Sequence, residues 1–448
     1  MQEQSRARAR KGGRMSGDSP LDAIAGPPHM PGRLSSTDTA ESTRASTSRI
    51  VPAALVLAYF GAYIAVMSPP TVSMALRVVD VVGADDKLSV LATVLSIGAL
   101  AGAVASPLLG RLSDRTTLAF GRRRTWLVLG PVLGIAGLAL IGLCDTVPLL
   151  TFGWVLAQAG WSGTLMVCQA LLSERIPDTM RGRVSGLMGA GMPIGMVGGT
   201  FIVSFTESSP VLMLLVPGLI GVVTAAFLVA VVPDAPADRA ALHHLGPKEL
   251  LQTFYVDPRR HPAYSWAFLS RFLMFSGVFI ILTYQTYIVS DRIGFTGAST
   301  ADKVFQSTVV MVTGSVAASV LFGVLGDRTG RLKLFLRIGV VAVVVGLLLL
   351  TLGDSFGIFL AGLALIGIGQ GAYLADDLPM ITRVLPDPDD AAQELGVYNL
   401  GLVLPQMLIP LYGAALIGST GDYPHLFAVG AVCAAAAAFT LIGVRGIK

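Results

Sequence analysis

The chain has 448 residues, of which 53% are hydrophobic and only 13% are charged. Soluble globular proteins carry roughly 25% charged residues, so the composition excludes an ordinary water-soluble enzyme and indicates a membrane protein. The formal net charge of +4 does not predict a nucleic-acid partner, because lysine and arginine accumulate on the cytoplasmic side of membrane proteins.

The chain begins with a polar segment, residues 1–48, which is rich in serine, threonine, arginine, proline and glycine. Its composition predicts a disordered cytoplasmic tail. It does not predict a secretory signal, because the apolar stretch that follows is too long and leads into further spans rather than to a cleavage site.

Twelve apolar stretches of about twenty residues follow, each long enough to cross roughly 30 Å of hydrocarbon as a helix. Six lie on each side of a polar stretch, 233–262, which is predicted to be a cytoplasmic linker. The predicted fold is therefore an all-α membrane protein with an N-terminal six-helix bundle, 49–232, and a C-terminal one, 263–448. The predicted spans are 51–76, 88–110, 125–144, 148–172, 183–205, 210–232, 263–289, 303–325, 333–353, 356–382, 393–417 and 423–444.

Positive charge is distributed unevenly between the loops. Four basic residues, Arg77, Lys87, Arg292 and Lys303, fall on one predicted side, whereas clusters such as Arg122–Arg124 fall on the other. Because lysine and arginine mark cytoplasmic loops, this asymmetry predicts an even number of spans with both termini in the cytoplasm. The preference for alanine, glycine, valine and arginine over lysine predicts a bacterial chain of the cytoplasmic (inner) membrane.

The two predicted halves share a sequence element. Gly110, Asp114 and Arg115 end the second span, and Gly323, Asp327 and Arg328 end the eighth at the same spacing. The first copy continues to Gly121, Arg122 and Arg123. A glycine permits close helix approach, and an aspartate at a helix end can meet an arginine or a helix N-terminus. These residues are predicted to form breakable contacts that gate the cytoplasmic face.

This element resembles the signature between the second and third helices of the major facilitator superfamily. The resemblance covers nearly the whole chain from about residue 50 and implies alternating access in a twelve-helix fold. The longer spacing between Asp114 and Gly121, with Tyr373 and Asp377 in span ten, is most similar to the glycoside–pentoside–hexuronide and sucrose–proton symporters. Asp376 departs from the usual apolar residue of that pattern. The glycines and proline of span five loosely resemble drug–proton antiporters, although helix contact and a kink explain them more simply.

Ionisable groups within spans are costly and usually face a cavity or a partner. Asp376 and Asp377 are the predicted proton-coupling residues, with sodium as the alternative ion. Their side chains point about 100° apart on a helix, so one is expected to face the cavity and the other a neighbouring helix. Arg271 either pairs with one of them or extends to the membrane surface, and we expect the latter.

Aromatic and amide side chains within the spans suit a sugar or another neutral polar ring, because rings stack on aromatic faces while amides bind hydroxyl groups. The resemblance implies that spans one, four, seven and ten line a central cavity. The predicted substrate-binding residues are Tyr59, Tyr63, Trp154, Gln158, Trp161, Tyr284, Gln285, Gln370, Tyr373 and Asn399.

No nucleophile–base arrangement, phosphate loop or metal-ligand spacing is found in the sequence, so neither an enzyme nor a cofactor or metal site is predicted. The main hypothesis is a monomeric, proton-coupled transporter of a small polar solute such as a sugar or glycoside. A proton-antiport exporter of drugs or metabolites is the alternative, and a non-transporting receptor on the same fold is a remote one.

Overall fold

The computed structural model describes residues 36–234, 261–385, 391–420 and 422–444. The predicted tail and linker therefore lie largely outside the described residues, as does the side chain of Asp327. The chain forms two units, Met1–Ser46 and Thr47–Lys448. Within the described residues, twelve helices are long and apolar enough to cross a membrane, and all of them lie in the second unit.

Regular structure in the described residues is entirely helical. The helices are numbered α1 to α12 by membrane span, with continuous extensions given the same number. Their bounds are α1 Ser36–Ser68, Pro69–Ser73 and Met74–Val82; α2 Lys87–Asp114; α3 Arg122–Leu143; α4 Val147–Arg175; α5 Asp178–Gly189 and Gly191–Thr206; α6 Leu212–Val231; α7 Pro262–Tyr287 and Ile288–Arg292; α8 Ala298–Thr329; α9 Leu332–Leu349; α10 Phe356–Thr382; α11 Ala391–Thr420; and α12 Pro424–Gly443.

Two helices of the first half are interrupted at prolines. In α1 the segment Pro69–Ser73 winds as a wider π-helical turn, because a proline has no N–H to donate to the preceding turn. The segments of α5 meet at Ala190, three residues before Pro193. Each interruption breaks the regular α-helical hydrogen-bond pattern within the span.

The packing of the first six helices recurs in the last six. Helix α4 packs on α2 and α3, and α3 packs on α6; correspondingly, α10 packs on α8 and α9, and α9 packs on α12. The contacts between the halves follow the same correspondence, in which α8 is equivalent to α2 and α11 is equivalent to α5. Helix α2 packs on α11, and α5 packs on α8 in the equivalent way. The two halves are therefore related by an approximate two-fold operation.

Glycine pairs bring α3 and α4 into backbone contact, and the equivalent pairs do so in the second half. A side chain at Gly160 would lie 2.5 Å from the carbonyl oxygen of Gly130, and one at Gly369 would lie 2.4 Å from that of Gly339. Close approach through small residues is how helices associate where lipid supplies no hydrophobic driving force. The internal repeat is thus a repeat of helix contacts.

The predicted all-α fold with twelve spans is confirmed. The predicted boundary between the bundles stays a prediction, since most of 233–262 lies outside the described residues. The end of the bundle where α2 and α4 end and α3 begins with Arg122–Arg124 is called the arginine-rich end. The opposite end, which carries Lys87 and Arg292, is called the arginine-poor end.

Candidate functional site

A cavity lies in the middle of the bundle, between the two halves. Helices α1, α2, α4 and α5 contribute to it from the first half, and α7 and α11 from the second. None of the described side chains that line it is ionisable. They are Met67, Pro70, Thr71, Leu95, Ala99, Trp154, Gln158, Met192, Met196, Phe279, Leu282, Thr283, Gln406 and Pro410.

Helical spacing explains how the sequence forms this lining. Thr71 lies four residues after Met67, and Met192 and Met196 are related in the same way, so each pair shares a helix face. The π-helical turn of α1 and the break in α5 both lie at this level, where they place Pro70 and Met192 against the cavity. The lining is thus mainly apolar, with amide and hydroxyl groups at a few points.

Trp154 and Gln158 are the two predicted binding residues that the structure places in this lining. The Trp154 ring packs against Gly98 of α2, where any larger residue would overlap it. The side chain is 1% exposed, and its indole nitrogen has no hydrogen-bond partner among the described residues. An unpaired buried donor in a cavity wall is unfavourable unless a ligand or water accepts from it.

Other predicted binding residues use their polar groups within the protein. The Tyr284 hydroxyl donates to the Pro410 carbonyl oxygen, the Gln285 amide donates to Ser307 at 2.6 Å, and the Tyr373 hydroxyl donates to Ser270 at 3.0 Å. All of these side chains are buried. Their hydrogen bonds hold helices of the second half together.

The remaining predicted residues differ in exposure. Trp161 is fully buried against Gly134 and Gly221 in the first half, and Gln370 is half-buried. The rings of Tyr59 and Tyr63 meet edge to face at 5.0 Å, packed against the glycines of α5. Asn399 is exposed.

A buried ion pair connects α7 to α10. The Arg271 guanidinium donates to Asp377 at 2.6 Å, and the two residues are 8% and 2% exposed. The Tyr398 hydroxyl of α11 also donates to Asp377, while Arg271 donates to Asn399 at 3.3 Å. The expectation that Arg271 extends to the membrane surface is wrong, because Asp377 and Tyr398 lie close enough to hold the cation inside the bundle.

The two neighbouring carboxylates face different helices, and the expectation that one of them faces the cavity is wrong, because neither belongs to its lining. Asp377 points to α7 and α11, whereas Asp376, also buried, lies against Gly326 of α8. Asp376 therefore contacts the last turns of the helix that carries the second copy of the repeated element.

The residues of the first copy form a charge cluster at the arginine-rich end. Arg123 pairs with Asp114 at 2.5 Å and with Glu174 of α4 at 2.5 Å, and Arg122 pairs with Glu174 at 3.0 Å. Gly110 packs on Met166, so α2 lies close to α4. In the second copy Arg328 is exposed and Gly323 lies near Ala375.

Two residues of this cluster are absent from the predicted set. Glu174 ends α4, and Asp234 follows α6 and accepts from the backbone N–H groups of Arg123 and Arg124 at 2.7 and 2.9 Å. Gly121, with φ +113°, leaves room for that carboxylate. An acidic group at a helix N-terminus is favourable, but no local pattern links Asp234 to a helix that begins more than a hundred residues earlier.

Polar contacts join the halves at the arginine-poor end. Lys87 of α2 pairs with Asp291 of α7 at 2.7 Å. The hydroxyls of Thr286 and Tyr287 donate to backbone carbonyls of α1 at 3.0 and 3.1 Å. These bonds draw the halves together at this end.

Glu207, in the loop after α5, adds a further contact. Its carboxylate accepts from the backbone N–H of Ala301 in the first turn of α8 at 3.2 Å. Burial, together with nearby Asp302, raises the pKa of the Glu207 carboxyl, although the hydrogen bond from Ala301 acts in the opposite direction.

Toward the arginine-rich end the interface between α5 and α8 is open. Helix α8 packs on Gly191–Thr206, the α5 segment nearer the arginine-poor end. On the other segment, positions 182, 186 and 189 are glycines with open space where a side chain would lie. The α5–α8 interface is therefore in contact toward the arginine-poor end and parted toward the arginine-rich end.

The sequence profile of the Major Facilitator Superfamily matches residues 53–315 and 305–446. "Multidrug resistance protein 2" of Bacillus subtilis (strain 168) is 25% identical over 340 residues, which cover 74% of this chain and 80% of that protein. An uncharacterized MFS-type transporter of Mycobacterium tuberculosis is 24% identical over 371 residues, and the match spans only 52% of its length.

Solved structures of transporters share the fold. The nucleoside transporter NupG superimposes with a TM-score of 0.66 at 15% identity, covering 89% of this chain and 100% of that one. A bacterial homolog of the human lysosomal transporter Spinster, in an inward-facing and unoccupied conformation, gives a TM-score of 0.61 at 15% identity, with 89% and 95% covered. At this identity the likeness shows the fold alone.

Proposed function

This chain belongs to the Major Facilitator Superfamily, and from that premise we propose that it carries an uncharged ring solute, such as a sugar, glycoside or nucleoside, across the bacterial inner membrane together with a proton. The arginine-rich end faces the cytoplasm in this proposal, as the distribution of positive charge predicts. The conformation described is then closed to the outside and parted toward the cytoplasm.

The uncharged lining of the central cavity carries this proposal. Trp154 and Phe279 offer aromatic faces, Gln158 and Gln406 offer amides, and no described lining residue supplies a charge to pair with an ionic solute. The indole N–H of Trp154 has no partner among the described residues and lies beside Gly98 of α2, so a solute oxygen that reaches this edge of the ring can accept from it. A ring solute with an apolar face and hydroxyl or carbonyl oxygens satisfies both requirements.

The proton is assigned to Asp377. Its carboxylate is buried between Arg271 and Tyr398, and an ionised carboxylate there depends on the guanidinium for its stability. Movement of α7 or α11 relative to α10 lengthens these contacts and favours uptake of a proton by the carboxylate. Helices α7 and α11 also line the cavity, so solute binding and protonation act on the same helices.

Export of amphipathic compounds by proton antiport is the second candidate. Three methionines, Met67, Met192 and Met196, line the cavity, and flexible thioether side chains adapt to varied apolar ligands. The Bacillus relative named as a multidrug resistance protein also favours this candidate.

Counterflow in proteoliposomes distinguishes the two candidates. The panel contains sucrose, methyl β-D-glucopyranoside and uridine as neutral solutes, and ethidium and tetraphenylphosphonium as organic cations. We expect exchange of at least one neutral solute and of neither cation. Exchange of the cations alone contradicts the proposal and supports the exporter.

Trp154→Phe tests the binding site, because it keeps an aromatic ring and removes only the indole N–H. Loss of one hydrogen bond of about 1.4 kcal/mol weakens solute affinity about tenfold. The matched control is Trp266→Phe on α7, where the side chain is 43% exposed and remote from the cavity lining. Equal affinity of the Trp154→Phe protein and the wild type excludes the indole N–H as a ligand.

A further inference from the structure

We propose a second solute subsite between the central cavity and the arginine-rich end, formed by Tyr59 and Gln169 of the first half and Arg271 and Asn399 of the second. This inference rests on the proposed function and deepens it. The ligand is the same uncharged, oxygen-bearing solute, bound between the central cavity and the arginine-rich end.

Helix geometry places these residues on that path. Arg271 precedes the cavity-lining Phe279 by eight residues on α7, and Asn399 precedes Gln406 by seven on α11. Seven residues are close to two whole turns and eight are about 80° beyond them, so each pair lies within one broad helix face and is separated by about 10 to 12 Å along the axis. Both residues therefore lie on the walls that continue the cavity toward the arginine-rich end.

The first half continues its walls in the same way. Tyr59 precedes Met67 by eight residues on α1, which is the relation of Arg271 to Phe279 on α7. Gln169 follows Gln158 by eleven residues on α4, about three turns, and so lies on the cavity face. The repeat thus places a polar group of each half at an equivalent depth.

Within each half, a hydrogen bond joins a buried side chain to an exposed amide. The Gln169 amide donates to the Tyr59 hydroxyl at 3.1 Å, and Gln169 is exposed while Tyr59 is buried. Asn399 is likewise exposed and accepts from Arg271, which is 8% exposed. In each half a buried group therefore orients an exposed amide, and helical spacing places that amide on the face that continues the cavity wall.

Arg271 supplies an independent sign of a ligand. Its terminal nitrogens donate to Asp377 and Asn399, but its buried Nε has no partner among the described residues. A buried guanidinium normally uses its whole set of donors. A solute oxygen that accepts from Arg271 completes the set.

Binding at this subsite uses the same guanidinium as the ion pair. A solute oxygen that turns the guanidinium away from Asp377 removes the positive charge that stabilises the carboxylate, and the proton affinity of Asp377 rises. Solute and proton thereby favour each other's binding, and such coupling is reciprocal. The subsite is where the two cargoes of the proposed symport meet.

Cysteine protection tests the subsite directly. The three native cysteines, Cys144, Cys168 and Cys433, are replaced by alanine, and Asn399→Cys and Gln169→Cys are introduced separately and labelled with a maleimide. The probe is whichever of sucrose, methyl β-D-glucopyranoside and uridine the wild type exchanges. At a concentration of about ten times Kd, mass action predicts labelling about tenfold slower at both positions.

Ser185→Cys is the matched control, because Ser185 is exposed on the parted segment of α5 and is not part of the subsite. Its labelling rate is expected to stay unchanged, which separates direct protection from closure of the whole interface. Equal slowing at all three positions, or no slowing at 169 and 399 with a solute that is transported, overturns the subsite alone. If either subsite variant fails to fold, the other carries the test. Exchange of none of the three solutes overturns the proposed function and this inference with it.

Discussion

At the scale of single residues, the packing of α7 against α10 in the second half includes a buried ion pair. Arg271 and Asp377 are both at least nine-tenths buried, and neither side chain is stable there without the other or an equivalent partner. Tyr398 donates to Asp377 and also stacks on the guanidinium, with its ring centroid 4.6 Å from the central carbon of Arg271. The pair thus belongs to a polar network shared by α7, α10 and α11.

A double-mutant cycle measures this dependence. Arg271→Ala is expected to destabilise the purified protein by about 3 kcal/mol, because it leaves a buried carboxylate without its counter-ion. Adding Asp377→Asn is expected to recover part of that loss, since the remaining group is neutral. The measurement is thermal unfolding in detergent, with the exposed Arg328→Ala as the matched arginine control. Additive losses contradict the pairing.

The sequence identifies the ionisable residues of this network but not their arrangement. Asp376 and Asp377 are recognisable because carboxylates are rare within spans. The partner of Asp377 lies 106 positions away, and neither hydropathy nor spacing determines how far α7 is rotated toward α10. The cavity methionines are missed for a related reason. The sequence does not show whether an apolar residue faces lipid, the protein core or a bound solute.

At the scale of helices, backbone contacts through glycine set the spacing of the cavity walls. Helix α10 approaches α8 so closely that a side chain at Gly371 would lie 1.9 Å from the carbonyl oxygen of Ser315. Asp377 lies on the same helix, less than two turns beyond Gly371. The glycine contact therefore fixes the position of Asp377, the proposed proton-coupling residue, relative to α8.

Gly371→Ala is expected to lower stability by roughly 1–3 kcal/mol, because the added methyl group forces two backbones apart. Gly357→Ala in the first turn of α10 is the matched control, since nothing lies within 4 Å of the added carbon. Thermal unfolding of both variants gives the comparison. A Gly371→Ala protein as stable as the control contradicts the close contact.

The existence of each helix is predictable from sequence because a span must be long and apolar, whereas its end is set by tertiary contacts. The first span is predicted to end at residue 76, before Arg77, yet α1 continues to Val82. Arg77 is 5% exposed, donates to backbone carbonyls at the end of α3 and pairs with Asp145. The C-terminal end of α3 favours a nearby cation. Arg77 is therefore stabilised inside the protein, and α1 can continue past it to Val82.

At the scale of the whole molecule, the two halves meet through contacts that must break for the arginine-poor end to open. Lys87 with Asp291 and Glu207 with Ala301 are two of these contacts. Of the ionisable groups in these two contacts, Glu207 is the carboxyl whose pKa is raised when the contact is made. A carboxyl with a raised pKa favours the protonated form, so its contribution to closure is present at low pH and is lost as the pH rises through that pKa.

Closure of the arginine-poor end is therefore expected to strengthen as the pH falls. Spin labels at Asp85→Cys and Thr296→Cys, exposed positions on opposite halves, report the distance between the outer loops, with the native cysteines replaced by alanine. Glu207→Gln is expected to remain closed at every pH, whereas Asp354→Asn, whose ion pair lies within the second half, keeps the dependence. The same pH dependence in the Glu207→Gln protein contradicts the assignment.

If an uncharged solute and a proton cross the membrane together, as we propose, addition of the solute drives proton movement that a pH measurement detects. Proteoliposomes are prepared without a pH gradient. The external pH is recorded while a neutral solute that the protein exchanges in the counterflow assay is added. We expect external alkalinisation with the wild-type protein, as protons enter with the solute, and none with Asp377→Asn. External acidification, or solute uptake with no change in pH, would contradict it.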